Sequence, residues 1–96
     1  MTERSTLADR IAVTVRDVPG VSALHAGALG EAVTLLPGRR VPGVRVGDDA
    51  VEVHLAVSDS RPVRETADAV RTAVTTLTDL PVTVVVEDLA DDVPTA

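Results

Sequence analysis

The chain has 96 residues, 45% of them hydrophobic, with no Phe, Tyr, Trp or Cys, and fifteen acids against nine bases give a net charge of −6. That length holds one domain and no second core, and the missing cysteines exclude disulfides, thiolate catalysis and sulfur-ligated metals. The acidity makes nucleic acid a poor partner, because phosphate backbones are repelled unless the cations gather on one face.

A core without aromatics is assembled from many Val, Ala and Leu side chains, each buried Val or Leu contributing about 1.5–3 kcal/mol. That suffices for a thin two-layer domain with little surplus, which self-association would supplement. All nine bases are Arg. The N-terminal Met-Thr-Glu-Arg-Ser-Thr-Leu lacks the basic-then-apolar layout of a signal peptide. No apolar run approaches the roughly 18 residues that span a bilayer. The expectation is a soluble cytoplasmic protein without direct membrane insertion, reaching a membrane only through a partner.

Leu7, Ala8, Ile11, Val15 and Val18 follow helical spacing, with Thr2 or Ser5 placed to cap the start. Pro19 forbids continuation, and Gly20 can take the left-handed conformation that ends helices. Ser22 to Gly30 is small and glycine-punctuated and reads as a loop. Glu31 to Leu36 reads as a short strand ended by Pro37-Gly38, followed by a basic loop carrying Arg39 and Arg40. Val44 and Val46 alternate with Arg45, and Val51, Val53, Leu55 and Val57 alternate with Glu52, His54 and Ala56, so the two runs form a hairpin. A two- or four-residue turn around Asp48-Asp49 pairs Val46 with Val51, Arg45 with Glu52 and Val44 with Val53. A three-residue turn would invert every face.

Asp59 or Ser60 is placed to cap a second helix with Pro62 in its first turn. Val63, Ala67, Val70, Val74 and Leu77 then form one apolar stripe, and Asp79-Leu80-Pro81 breaks it. Val82 to Val86 is nearly all apolar and β-branched, the pattern of a strand buried on both faces or covered on one by another chain. The order helix, short strand, hairpin, helix, strand predicts an α+β two-layer sandwich, with both helices on one face of a small mixed sheet. The domain spans residues 1–89, and residues 90–96 read as an acidic disordered tail.

Little in the chain carries chemistry. Glu52 and His54 lie two apart on the polar face of a strand, but a zinc site needs three or four ligands, and His25 is the only other imidazole. Polar residues on an open hairpin face are the simpler reading, so no catalytic, cofactor-binding or metal-binding residue is assigned, and no cofactor is expected. Arg39 and Arg40, bracketed by Pro37-Gly38 and Pro42-Gly43, present two guanidinium forks suited to carboxylate or phosphate. The glycine spacing is neither a P-loop nor a KH clamp. Val82, Val84, Val85 and Val86 offer a flat aliphatic surface for self-association through a sheet face or edge. These six residues are the candidate interaction sites.

The segments Arg10-Ile-Ala-Val-Thr-Val-Arg-Asp-Val-Pro-Gly-Val-Ser-Ala-Leu24, Leu36-Pro-Gly-Arg-Arg-Val-Pro-Gly-Val-Arg-Val46, Val51-Glu-Val-His-Leu-Ala-Val57 and Val82-Thr-Val-Val-Val-Glu-Asp-Leu89, taken in order, resemble the alkaline shock protein family of bacterial envelope stress response proteins in its actinobacterial form. The likeness covers about residues 7–89. The chain departs from it in two turns. Ser58-Asp59-Ser60 stands where relatives carry an aromatic-glycine pair, and Thr78-Asp79-Leu80 where they often have Thr-Gly-Leu. The resemblance implies a non-enzymatic cytoplasmic stress response protein, a self-associating scaffold held near the membrane by an integral-membrane protein. The alternative is a small binding or regulatory module that recognises an acidic partner or ligand through Arg39 and Arg40.

Overall fold

The eight-residue strand Val51–Ser58 organises the molecule, because both of its edges are paired and both of its faces are largely buried. The structure, a computed structural model, describes residues 3–90, with side chains from Thr6 onward. In chain order the elements are α1 (Glu3–Arg16), β1 (Val21–Leu24), β2 (Val33–Leu36), β3 (Arg39–Pro42), β4 (Val44–Val46), β5 (Val51–Ser58), α2 (Val63–Thr75) and β6 (Val82–Ala90). On one side β5 pairs antiparallel with β4 along its first half and with β1 along its second. On the other side it pairs parallel with β6, the two joined by α2 as a crossover connection. The strands β2 and β3 form a separate hairpin.

This is the α+β mixed sheet that the element order predicts. Val51, Val53, Leu55 and Val57 are fully buried, together with Ile11 and Val15 of α1 and Val70 and Val74 of α2. Both helices therefore lie on one face. The β4–β5 register is Val44↔Val53, Arg45↔Glu52 and Val46↔Val51, as the hydrophobic alternation requires. The turn closes with Gly47 N–H donating to Ala50 C=O at 2.9 Å.

The structure differs from the sequence reading in several places. The segment Ser22–Gly30 contains most of β1. A register shift between Val21 and Ala23 breaks the alternation in that strand, so no period-two pattern is visible. Arg39 and Arg40 are not in a loop. The turn is Pro37-Gly38 alone, with Gly38 at φ +76°, and Leu36↔Arg39 and Leu35↔Arg40 are already paired. No side chain caps α2: Pro62 itself occupies the cap position, so neither Asp59 nor Ser60 has that role. Thr66 is buried, whereas Val63 is 37% exposed, so the buried stripe of α2 is Thr66, Val70 and Val74. Finally, β6 is an edge strand, with Val82, Val84, Val85 and Val86 only half-buried, so of the two readings the chain by itself does not bury it on both faces.

The helix α1 begins by Glu3, before the predicted apolar stripe, so Ser5 is inside it rather than capping it. The Thr2 cap and residues 91–96 of the predicted tail lie outside the described residues. β6 runs to Ala90, one residue past the expected domain end. Gly20 sits at φ +96° beyond the end of α1, and a Cβ there would lie 2.4 Å from Thr66 Oγ1. The helix stop at Pro19-Gly20 thus also makes room for α2. No helix among the described residues is long and apolar enough to cross a membrane.

Candidate functional site: a histidine held between two carboxylates

On the sheet face away from the helices, β5 carries Glu52, His54, Ala56 and Ser58. His54 is 7% exposed. Its Nε2 lies 3.0 Å from Glu52 Oε1 and its Nδ1 lies 2.6 Å from Glu87 Oε2. The β5–β6 register jumps from Leu55↔Val86 to Ala56↔Asp88, so Glu87 is the extra residue of a bulge. Counting on from Val85, which pairs with His54, Glu87 falls on the same face of β6, and its carboxylate reaches the ring. Burial is the largest single influence on the ring and disfavours the imidazolium. The bonds and charges of Glu87 and Glu52 together outweigh it and hold the ring above its ordinary value of 6.5. With both nitrogens protonated, each N–H donates to one carboxylate. Arg45 Nη1 stands 3.9 Å from the second oxygen of Glu52 and extends the chain of charge across β4.

The end of β1 and the start of β4 meet along the same edge of β5. Gly43 permits this at φ +83°, since a Cβ there would lie 2.6 Å from Leu24 Cβ and 2.9 Å from His54 O. His54 N–H donates to Gly43 C=O, and His25 N–H donates to His54 C=O. His25 Nδ1 accepts from Gly27 N–H at 2.9 Å. Glu31 accepts from Leu29 N–H at 3.0 Å. That bond and one from its own backbone, helped by the charges of His54 and His25, hold its carboxyl below the usual carboxylate range.

Glu52 and Glu87 bind opposite nitrogens of one ring, so their oxygens straddle the imidazole instead of converging on a point. No group of three or more His, Cys, Asp or Glu residues able to hold a metal ion occurs among the described residues. Both ring nitrogens are committed, which leaves neither to exchange a proton with a substrate while the pair of contacts persists. The Glu52–His54 pair was legible from their spacing. Glu87 was visible only as one of several C-terminal acids, because no local period reveals that β6 pairs with β5.

Arg39 and Arg40 go to different tasks. Arg39 makes a two-pronged bond to Asp9 of α1, at 2.9 and 2.7 Å, and ties the β2–β3 hairpin to the helix layer. The bond to Asp9 raises the pKa of Arg39, and the guanidinium in turn holds the Asp9 carboxyl below 3.8. Arg40 is exposed, in register with Leu35, which is 75% exposed. Val82, Val84 and Val86 pack against the core from the sheet edge, and Val85 shares the open face with His54.

Thr34, unremarked in the sequence, closes the β4 part of the opposite edge of the sheet. Its buried hydroxyl donates to Val44 C=O at 2.5 Å and accepts from Val46 N–H at 3.2 Å. These are the backbone groups of β4 that point away from β5.

No family model matches the chain, and no curated protein matches it. Its fold is similar to solved structures of the MamM CTD. A tryptophan-to-alanine variant of that domain aligns with a TM-score of 0.62 at 18% identity, covering 98% of this chain and 100% of the other. A methionine-to-leucine variant aligns at 0.60 and 20% identity, over 91% and 99%. A copper form aligns at 0.53 and 18% identity, over 99% and 93%. At these identities the likeness is one of fold. The alkaline-shock resemblance rests on the motifs quoted above alone.

Proposed function

We propose that this chain is a small, non-enzymatic binding or regulatory module that works by associating with other protein chains. The observation that carries this reading is the commitment of His54. Among the described residues His54 is the one buried titratable side chain with two carboxylate partners, and it spends both nitrogens inside the fold, so it braces β5 against β6 and offers no reacting group. What remains outward is suited to association: an open sheet edge at β6 and the exposed Arg40. The fold likeness to the MamM CTD, named as a C-terminal domain and solved in one case in a copper form, supports a module over an enzyme. Copper does not come across with it, because Glu52, His54 and Glu87 do not converge.

The acidic-partner version of this reading falls to Arg40, since Arg39 is already bound to Asp9. The alkaline-shock likeness adds a cytoplasmic scaffold held near a membrane by an integral-membrane protein, and its motifs are the support for that part. Light scattering across a concentration series, together with a titration against poly-glutamate, tests the reading. Mass rising with concentration, or saturable poly-glutamate binding lost in Arg40→Ala, supports it. A strict monomer that binds no poly-glutamate overturns it.

A further inference from the structure

We propose that the outer edge of β6 pairs with the same edge of a second copy, antiparallel and centred on Val84, so that two molecules share one continuous sheet. The inference rests on the association reading and names its partner.

The two edges of this sheet are treated differently. At β4, the outward Val44 C=O and Val46 N–H are answered by the Thr34 hydroxyl. At β6, the nine-residue strand pairs with β5 alone among the described residues. Val51 N–H donates to Pro81 C=O. The alternation of a parallel ladder therefore turns Thr83 and Val85 toward β5, and the N–H and C=O of Val82, Val84 and Val86 outward. Long open edges are usually blunted by charges, proline or bulges. Here those devices stand only at the two ends, Pro81 before the strand and the Glu87 bulge after Val86. Between them lie five residues without a charge.

The best complement to this edge is the edge itself. With a two-fold axis at Val84, Val84 faces Val84, and Val82 of each copy faces Val86 of the other. All three outward-facing residues are then used, for about six inter-chain hydrogen bonds. The half-buried Val82, Val84 and Val86 side chains meet their own kind on the helix side, and Thr83 meets Val85 on the open face. Glu87 falls opposite Pro81 and Asp88 opposite Leu80, so no two carboxylates face each other. Sliding the register toward the C-terminus runs into the bulge, and sliding it the other way shortens the ladder. Isologous two-fold pairing of this kind is self-limiting. Since each copy carries a net charge of −6, salt should strengthen the dimer by screening repulsion, whereas it would weaken an Arg40–carboxylate contact.

The chain contains no cysteine, so introduced thiols report the register without background. Under mild oxidation Val84→Cys should crosslink to itself. Val82→Cys and Val86→Cys should each stay uncrosslinked alone, and should crosslink to one another when mixed. Val84→Pro removes an N–H that points outward and is not used by β5, so it should abolish the concentration-dependent mass increase while far-ultraviolet circular dichroism is retained. The cysteine pattern decides the matter even if the proline variant folds poorly. A dimer that Val84→Pro leaves intact, or one in which Val84→Cys does not crosslink, overturns edge pairing and leaves the association reading standing. A strict monomer at every concentration and salt overturns the self-pairing outright.

Discussion

Replacing Thr34 with Val should be among the most damaging single changes in this protein, although Val has the same shape and the higher strand preference. The Thr34 side chain is 4% exposed and its hydroxyl serves two buried backbone groups, Val44 C=O and Val46 N–H. Val keeps the volume, so no cavity opens. It leaves one acceptor and one donor unpaired, each costing about 1–3 kcal/mol. The sum of roughly 2–6 kcal/mol is a large share of the 5–15 kcal/mol that holds a domain folded. For a domain of this size that corresponds to a fall in melting temperature of roughly 10 °C or more. Thr34→Ser is the control: it keeps the hydroxyl and removes one methyl group, at a cost of about 1 kcal/mol. Urea unfolding followed by far-ultraviolet circular dichroism measures both, since the chain has no Trp or Tyr fluorescence to follow. If Thr34→Val lies within about 0.5 kcal/mol of the parent, the size of an ordinary surface change, the edge-closing argument is wrong. Strand preference predicts the opposite sign, so the two explanations separate cleanly.

Three further outcomes follow from the geometry. His54 has its folded pKa raised above 6.5, so its contribution is fully present below pH 6.5 and is lost as pH rises through the folded value. Urea unfolding should show stability falling with pH across that window in the parent and a flatter profile in His54→Gln; superimposable profiles would remove the clamp as the cause. Gly43→Ala and Gly30→Ala share a left-handed backbone, φ +83° and +73°, worth about 1–2 kcal/mol. Only Gly43 also meets Leu24 Cβ and His54 O, so its substitution should cost about 1–3 kcal/mol more by overpacking, and equal melting temperatures would refute the close approach. Arg39→Ala should lower the melting temperature at low salt and leave it nearly unchanged at high salt, because the bond to Asp9 is exposed and screened.

The β4–β5 hairpin shows how far the sequence reaches. Val44, Val46, Val51 and Val53 had to share a face, which forbids a one-residue slip, and the short turn at Asp48-Asp49 selects the observed register. The helices follow in the same way from the spacing of Ile11 and Val15 and of Val70 and Val74, and from the stops at Pro19-Gly20 and Pro81. With those elements in order, an α+β sandwich with both helices on one face is the arrangement that buries every stripe.

The tertiary structure decided what depends on neighbours distant in the chain. β1 was unreadable because a register shift erases its alternation, and Glu87 reaches His54 only because β6 lies beside β5 in the sheet. Arg39 and Arg40 look equivalent in sequence, yet one is bound to Asp9, thirty residues away, and the other is exposed. Val82–Val86 has the composition of a central strand, but composition cannot say which strand ends the sheet. That depends on long-range pairing, which sets β6 beside β5 with no further strand beyond it among the described residues.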